Sequence, residues 1–492
     1  MDAKTSLTVA ATVFVLLSVR ALIRRRRTNI RDIPGPESKS WAFGNLADLL
    51  LPPSYGQNEF AWTKFFGPVY RVKGCFGQDR LVVSDPIALQ YITNSSSFQL
   101  GPVLAVMRSW LYDHNAVVTI GGEEHRRLRT ALNVGFTASA ISDQLDATVE
   151  KSMEVDVSPM LSTGALRAIT DVALGCPLED LGPEFVSVNT RLLDIASTRK
   201  VGQIIFDAIA VHIPKPLLRT LIHLPTSAFR ALRTSKFLCR REGWRIVREK
   251  LQAPEASYDA DIYSLLLHSD EKDGTKKSLL PKDLVAQTSL ILLAGQDTTA
   301  NSLAFGLLEL ARHPDLQNKL RDEIGATIAG SGGAVAYDNM PLLNAFIKET
   351  LRFYPAAALS ERVALQDSVI PLAQAITTSS GKKIDAIPVS KGQVVVLGIA
   401  AYQRHDSRWG ANSEDFDPER WLDGRVRQGT TLGPYANLLS FFNGPTHMSR
   451  VAICHSGDAD GLVRADYQVR IFGTREGAGS YPLAARDDTA TD

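Results

Sequence analysis

The sequence predicts a mainly α fold of the α+β kind, in which long helices are accompanied by small β-sheets and preceded by a transmembrane helix. Apolar residues recur with helical spacing through most of the chain after Pro86. Short clusters typical of strands occupy residues 69–72, 80–83 and 382–396. Residues 7–23 are largely apolar. Together these patterns indicate a large helical body attached to a membrane.

The composition is that of an ordinary globular protein. The chain has 492 residues, enough to bury a large core, and its formal net charge of +1 gives no reason to expect nucleic acid as a partner. Its four cysteines are widely spaced, at Cys75, Cys176, Cys239 and Cys454. This spacing is typical of reduced thiols in a protein that faces the cytosol, rather than of a disulfide framework.

The N-terminus predicts the membrane topology. The apolar stretch at residues 7–23 carries a single charge, and four arginines follow it directly at 24–27. We interpret residues 1–27 as a signal-anchor whose basic end lies in the cytosol. A cleaved signal peptide is the alternative, but the charge follows the apolar stretch and no small-residue cleavage site comes after it. Residues 28–40 contain an Ile-Pro-Gly-Pro segment and predict a basic, proline-rich hinge.

A glycine and two threonines interrupt a long apolar helix. Residues 294–299 (Ala-Gly-Gln-Asp-Thr-Thr) lie within a helical run from Leu290 to Leu310. A threonine hydroxyl there can bond the carbonyl oxygen one turn earlier, which weakens the helical ladder and leaves room for small molecules. Asp297 beside Thr298 can relay protons. Alone, the motif also fits an ordinary Ser/Thr turn inside a helix.

A second motif pairs opposite charges on one helix face. Glu349 and Arg352 are three residues apart, so their side chains meet on a helix. Phe353-Tyr354-Pro355 ends that helix, and Arg420 follows in the segment 416–421. A bare pair of this kind is more often an exposed salt bridge than a functional signature. Its importance therefore depends on the order of the surrounding motifs.

The segment 121–129 is basic and predicts the start of a helix. It places His125 and Arg129 four residues apart on one helix face. By sequence alone, a solvated helix start explains this pattern as well as a binding site does.

The order of these motifs from Met1 to Pro445 resembles a eukaryotic microsomal cytochrome P-450 of the fungal type, a haem-thiolate monooxygenase. The resemblance implies the cytochrome P-450 fold, with long helices around a haem, for a catalytic domain at residues 41–445. It also implies insertion of one oxygen atom from O2 into a lipophilic small molecule, with electrons from NADPH delivered by a separate NADPH-cytochrome reductase.

The apolar segment 101–107 resembles a substrate-contacting segment of this family. Its character indicates terpenoid, steroid or aromatic substrates, in secondary or xenobiotic metabolism. The expected location is the endoplasmic reticulum membrane, crossed once and in contact with membrane lipid, with the catalytic domain facing the cytosol.

The same resemblance implies roles for the motif residues. Asp297 and Thr298 would form the oxygen-activation site. The other residues are charged side chains around the haem: Glu349, Arg352 and Arg420 in a buried ion network beneath it, and His125, Arg129 and Arg362 at its propionates.

The iron ligand is missing from the position where the resemblance places it. In this family a cysteine follows the segment that here reads Phe441 to Pro445, and this chain has Met448 at that position. Methionine is a neutral thioether and cannot supply the electron density that a thiolate gives to iron. Cys454 lies six residues beyond the ligand position, so we assign no metal ligand.

The missing cysteine is present one nucleotide out of frame. Codons ATG for Met448 and TCN for Ser449 contain TGT, a cysteine codon, when they are read one nucleotide late, and the shifted frame can continue as Cys-Pro-Gly-Trp. Residues 446–492 therefore predict an aberrant, disordered tail that replaces the cysteine loop and last helix. The chain would then be a frameshifted product or a catalytically dead pseudoenzyme. One alternative is that the tail is natural and has diverged from the family. Another is a haem protein that uses Met448 or a histidine as the axial ligand.

Overall fold

The computed structural model describes residues 29–132, 156–197, 200–254, 261–268, 279–330, 339–426 and 432–442. Helices dominate these residues and small sheets accompany them, which confirms the predicted mainly α, α+β architecture. Among the same residues, no helix is both long enough and apolar enough to cross a bilayer. The predicted anchor at 1–27 and the predicted tail at 446–492 lie outside the described residues.

The predicted helical run at 290–310 falls inside helix α12, and the Glu349–Arg352 pair falls inside α14. The α-helices of the described residues are α1 (Leu46–Leu50), α2 (Gln57–Phe66), α3 (Pro86–Asn94), α4 (Pro102–Leu111), α5 (Gly122–Leu132), α6 (Val157–Ile169), α7 (Gly182–Ser197), α8 (Val201–Ala210), α9 (Lys215–Thr220), α10 (Ser227–Leu251), α11 (Ile262–Leu267), α12 (Pro281–Arg312), α13 (Pro314–Gly330), α14 (Pro341–Phe353), α15 (Ile399–Tyr402) and α16 (Asp406–Trp409).

Capping residues set several helix boundaries. The Asp85 carboxylate accepts hydrogen bonds from the backbone N–H groups of Ile87 at 3.0 Å and Ala88 at 2.9 Å, which would otherwise lack partners at the start of α3. The Thr226 hydroxyl caps α10 in the same way. Pro281 is the first residue of α12, a position where its missing N–H removes no helical hydrogen bond.

The strands are short and form a mixed sheet and a separate hairpin. Their bounds are β1 (Val69–Lys73), β2 (Asp79–Val83), β3 (Phe98–Gln99), β4 (Leu359–Ala364), β5 (Ser368–Thr377), β6 (Lys383–Val389) and β7 (Val394–Gly398). The mixed sheet has the order β1-β2-β7-β4-β3, in which β2 and β7 are parallel and the other neighbours antiparallel. β5 and β6 pair with each other.

The structure confirms the strands predicted at 69–72, 80–83 and 382–396, but β3, β4 and β5 are not among the predicted strands. β4 escapes sequence analysis because Glu361 and Arg362 occupy its centre, where an apolar alternation would be expected. The sheet accommodates both charges: Glu361 pairs with Arg80 of β2, and Arg362 turns into the protein interior.

α12 is the centre of the helical core. Its buried residues lie all around the helix, as expected for a helix covered on every side. Leu166 of α6 and Ile246 of α10 belong to one buried cluster with Leu292 of α12. Towards its C-terminal end, Leu307 packs in a second cluster with Phe346 of α14.

α10 crosses α12 closely at a glycine. A Cβ atom added to Gly243 would lie 2.5 Å from Thr288 Oγ1 and 3.4 Å from Val285 Cγ1. Thr288 is completely buried, and its hydroxyl is 2.8 Å from the hydroxyl of Tyr263. Because Thr288 has no space to retreat into, only glycine permits this crossing distance.

We predict that Gly243→Ala destabilises the fold, because the added methyl group forces α10 and α12 apart. The free energy of unfolding, measured with urea, should fall by about 1–3 kcal/mol. Gly202→Ala in α8 is the matched control, because a Cβ there meets no atom within 4 Å. It should change stability by no more than about 1 kcal/mol, in the stabilising direction. Equal effects of the two substitutions would show that the crossing does not depend on Gly243.

Candidate active site

Thr298 uses its hydroxyl inside α12. Thr298 Oγ1 donates to the carbonyl oxygen of Ala294 at 2.6 Å, and Ser302 Oγ donates to the carbonyl oxygen of Thr298 at 3.0 Å. The Thr298 bond is the one to the previous turn that the sequence motif predicts, and the Ser302 bond is a second one of the same kind. Carbonyl oxygens along this face therefore accept hydrogen bonds from side-chain hydroxyls as well. This competition weakens the backbone hydrogen bonds of the helix.

Asp297, beside Thr298, is half-buried. Burial raises the pKa of Asp297 above its usual range, and a hydrogen bond from Asn301 Nδ2 at 3.3 Å opposes this effect only in part. The carboxyl group thus holds its proton to a higher pH than an exposed aspartate does. A group of this kind can donate a proton to a bound molecule and take one back.

Gly295 lies where α6 packs against α12, and the described residues leave no open space beside it. A Cβ atom added there would lie 2.9 Å from Ile169 Cγ1 and 3.1 Å from Ile169 Cδ1. The glycine in the motif therefore lets α6 approach α12. This corrects the expectation that Gly295, together with the threonines, leaves room for small molecules.

Glu349 lies at the centre of a completely buried ion network. Arg352 donates to it from Nε and Nη2, each at 2.8 Å, and Arg420 donates from Nε at 2.9 Å. The Trp421 indole N–H and the Asp417 backbone N–H also donate to the carboxylate, each at 2.9 Å. The structure thus brings Arg420 into contact with the Glu349–Arg352 pair, although Arg420 and Glu349 are 71 residues apart along the chain.

The remaining guanidinium N–H groups of Arg352 and Arg420 bind backbone carbonyl oxygens. Arg352 Nη1 donates to Ser413 O at 2.9 Å, and Arg420 Nη1 donates to Trp409 O at 2.7 Å. Both arginines also donate to Asp415 O at 3.0 Å. The network therefore holds the irregular segment that follows α16 against α14.

Gln403 and Ser440 connect this network to the segment that leads to the ligand position. The buried Gln403 amide donates to Leu351 O at 3.1 Å and to Arg352 O at 2.8 Å, and accepts from Leu439 N–H at 2.8 Å. Ser440 Oγ donates to Leu351 O at 2.7 Å. Sequence analysis missed Gln403, because a single glutamine carries no local pattern.

Arg362 and Arg108 form a pair of neighbouring cations. Burial, with a contribution from the nearby charge of Arg108, lowers the pKa of Arg362 to about 10. Burial also lowers the pKa of Arg108. Within the described part of the chain, neither arginine forms an ion pair. Two desolvated cations that repel each other fit an anionic ligand such as a molecule with carboxylates.

Sequence analysis identified Arg362 but missed Arg108. The signal was nevertheless present, because Arg108 is the one charged residue of α4. A lone cation in an apolar helix calls for a partner. Arg362 also lies over the ring of Phe442, with Cζ 4.8 Å from the ring centroid. The cation pair is therefore next to the segment that precedes the ligand position.

Hydrogen bonds hold the segment after α4 against α12. The buried Gln287 side chain accepts from Val117 N–H at 2.8 Å and donates to Asn115 O at 3.1 Å. Ser289 Oγ accepts from Asp113 N–H at 3.3 Å. Because these contacts lie on the same helix as the Asp-Thr motif, they fix the end of α4 beside the candidate site.

For three predicted site residues, His125, Arg129 and Met448, the structure gives little or no information on the side chain. His125 is half-buried on α5, while the Arg129 side chain lies outside the described residues. Met448 also lies outside them. A propionate contact by His125 and Arg129, and the axial position of Met448, therefore stay predictions from the sequence.

A family model described as cytochrome P-450 matches residues 34–447. The match includes the whole candidate site described above, from Arg108 to Phe442. It ends one residue before Met448.

Similar curated proteins are fungal. Cytochrome P-450 monooxygenase 219 of Postia placenta is 30% identical over 480 residues, covering 86% of this chain and 85% of the relative. Ganoderic acid synthetase of Ganoderma lucidum is 28% identical, with 88% of this chain and 86% of the relative covered. Cytochrome P-450 monooxygenase claU of Ampulloclitocybe clavipes is also 28% identical, with 89% and 86% covered. With the family model and these relatives both spanning most of its length, this chain belongs to the cytochrome P-450 family.

Proposed function

We propose that this chain represents a haem-dependent monooxygenase that inserts one oxygen atom from O2 into a lipophilic small molecule. The half-buried Asp297, beside Thr298 on the core helix of a cytochrome P-450 chain, carries this proposal. Fungal relatives such as ganoderic acid synthetase support a role in secondary metabolism. The largely apolar α4 supports a terpenoid, steroid or aromatic substrate, and xenobiotics of similar character fit as well.

The haem, when bound, supplies the activation of dioxygen, with electrons from NADPH through a separate reductase. Arg108 and Arg362 fit its two carboxylates because they are partly desolvated cations without a carboxylate partner among the described residues. His125 and Arg129 on α5 would complete this set.

Asp297 and Thr298 have complementary tasks in this proposal. Burial raises the pKa of Asp297, so this carboxyl keeps its proton to a higher pH than an exposed aspartate and is suited to be the proton donor of the site. Thr298 commits its own proton to Ala294 O. Its oxygen lone pairs are then available to accept a hydrogen bond from water or from a bound molecule.

The proposed location is the endoplasmic reticulum membrane, with residues 1–27 as a single anchor and 28–40 as a hinge. The catalytic domain at 41–445 then faces the cytosol. Charge order at the N-terminus supports this orientation, because the arginines follow the apolar stretch directly.

Exposed apolar side chains support contact with membrane lipid. Trp41 is 68% exposed and Leu217 of α9 is 58% exposed. The rings of Trp41 and Phe76 are 5.3 Å apart, and Phe76 packs in a cluster with Ile205 of α8. Exposed apolar side chains of this kind favour insertion into a lipid interface.

The polypeptide as printed is proposed to lack the thiolate ligand, which makes a catalytically dead or frameshifted product the second candidate. Two observations favour it. The family match stops at His447, and the next residue, at the ligand position, is Met448. In addition, the shifted frame can encode cysteine at that position when Ser449 has a TCN codon, and it can continue with a sequence of the family type.

We predict that this polypeptide, when reduced and exposed to carbon monoxide, lacks the strongly red-shifted Soret band of thiolate-ligated haem. A frame-restored form, in which one nucleotide is added or removed between the codons for Asn443 and Ser456, should show that band. Replacing the restored cysteine by serine is the control and should abolish it. Sequencing the transcript across the same codons identifies which frame the organism uses. A thiolate spectrum from the printed polypeptide would contradict the prediction.

We predict that Asp297→Asn stabilises the fold at neutral pH. A carboxyl whose folded pKa is raised contributes nothing below its unfolded pKa, where it is protonated in both states, and destabilises the fold as pH rises through that range. The asparagine removes this cost and can still accept the bond from Asn301. Urea unfolding at acid and neutral pH should therefore show a stability difference from the unsubstituted protein that grows with pH.

The exposed Asp315→Asn is the control for this experiment and should show no such pH-dependent gain. In the frame-restored form, Asp297→Asn should also lower turnover by roughly 100-fold, because the proton donor is lost. Unchanged turnover of a lipophilic substrate would remove Asp297 from the proposed mechanism.

A further inference from the structure

The chain is packed against the body of the protein from Ile30 onward, close behind the proposed anchor. Ile30 is completely buried, and Ile33 is 2% exposed. Both belong to one buried cluster with Ile370 of β5 and Ile387 of β6, which face each other across the hairpin that these two strands form. The first described residues therefore pack against the β5–β6 hairpin.

Asp32, between these two isoleucines, holds the tip of the same hairpin. Its carboxylate accepts from the Ser380 backbone N–H at 2.9 Å and also from the Ser380 hydroxyl. The carbonyl oxygen of Asp32 accepts from the Ser379 N–H at 2.7 Å. The hydrogen bond from the Ser380 hydroxyl lowers the pKa of Asp32, and the nearby Thr378 and Lys382 act in the same direction. Asp32 is therefore charged at neutral pH and binds the tip through charge-assisted hydrogen bonds.

Strand β1 fixes the residues that follow. Arg71 Nε donates to Ile33 O at 3.2 Å, and the Arg71 backbone N–H donates to Pro34 O at 2.9 Å. A Cβ atom added to Gly35 would lie 1.7 Å from Arg71 O, so only glycine lets the two backbones approach this closely. From Ile30 to Gly35 the chain is thus bound to both the hairpin and β1.

The length of the chain limits how far the hairpin tip can lie from the anchor. Asp32 is five residues beyond Arg27, the last residue of the proposed anchor. Even a fully extended chain of five residues spans at most about 18 Å. The headgroup layer on each side of a bilayer adds about 5–8 Å to the hydrocarbon core. Because Asp32 contacts Ser380, the tip of the hairpin stays near the headgroups of any membrane that holds the anchor.

The charges at the tip suit such a surface. Lys382, Lys383 and Arg31 are exposed cations, against the exposed Asp385 and the Asp32 carboxylate, which already binds the tip. Cations therefore outnumber carboxylates here, and the arginine run that ends the proposed anchor adds further positive charge. Positive side chains beside a cytosolic membrane surface are attracted to its anionic headgroups.

We propose that the tip of the β5–β6 hairpin, residues 378–383, contacts the phospholipid headgroups of the membrane that holds the anchor, and that Asp32 keeps it there. This proposal rests on the proposed anchor at residues 1–27 and adds the surface that faces the lipid. Because residues 30–35 are bound to the body, the proposed hinge bends only before Ile30. A domain joined in this way takes a narrower range of orientations on the membrane than one on a free linker.

The test measures how strongly a water-soluble amine-acylating reagent labels individual lysines of the full chain, with mass spectrometry as the readout. The chain is labelled in vesicles of phosphatidylcholine and phosphatidylserine, and separately in a non-ionic detergent. Labelling of Lys382 and Lys383 in vesicles should fall about 5-fold relative to detergent, because headgroups cover them. Lys319 of α13 is the internal control and should be labelled equally in both, since its neighbour Leu320 packs in a different core cluster from Ile30.

Variants test the role of Asp32. Asp32→Ala should raise the labelling of both tip lysines in vesicles, relative to detergent, by about 2-fold or more, because it removes the charge-assisted hydrogen bonds to Ser380. Ser380→Ala removes only the hydroxyl donor and should act in the same direction, but more weakly. Glu37→Ala is the matched control, because it removes an exposed carboxylate from the same segment and should leave labelling unchanged. Full protection of the tip lysines in Asp32→Ala would overturn the role of Asp32.

Flotation of the vesicles separates this proposal from that of the anchor. A chain that floats with the vesicles, but whose Lys382 and Lys383 are labelled equally in vesicles and detergent, would overturn the hairpin contact and leave the anchor intact. A chain that does not float would overturn both. The assay requires neither haem nor turnover, so its result is independent of the proposed monooxygenase activity.

Discussion

A single buried carboxylate, Glu349, is the centre of the contacts that hold the chain between α16 and Trp421 against α14. Two arginines, an indole N–H and a backbone N–H donate to it, so that the charge is fully solvated by the protein itself. Removal of one partner from such a network typically costs about 3–5 kcal/mol, because the charges left behind stay buried. The chain between α16 and Trp421 contains few backbone–backbone hydrogen bonds of regular secondary structure. The bonds from Arg352 and Arg420 to its carbonyl oxygens hold it in place instead.

The network acts on the candidate site through the chain that it fixes. Gln403 forms hydrogen bonds with both the C-terminal end of α14 and the segment before the ligand position. Arg362 lies over the ring of Phe442, the last described residue of that segment. The chain that leads to residue 448 therefore starts from a segment that hydrogen bonds hold against α14. The loss of a thiolate at residue 448 would therefore disable chemistry without removing the cradle around it.

Arginines of the described residues differ in how their surroundings meet the guanidinium charge. Arg352 and Arg420 are satisfied by a carboxylate and by carbonyl oxygens. Arg108 and Arg362 repel each other and have no carboxylate partner among the described residues, which fits a cofactor that carries two carboxylates. Arg404 contacts the rings of Phe60 and Phe353, with Cζ 4.1 Å and 3.9 Å from their centroids.

The sequence by itself determined the local features: the helical run that contains Asp297 and Thr298, the strands β1 and β2, and the contact of Glu349 with Arg352 one turn apart. Periodicity and spacing report such features because the interacting residues are close along the chain. Only the tertiary structure decided the partners that are distant in sequence, such as Arg420 with Glu349, Arg108 with Arg362, and Gln403 with Leu439. No local pattern encodes these pairs, because packing of separate elements brings them together.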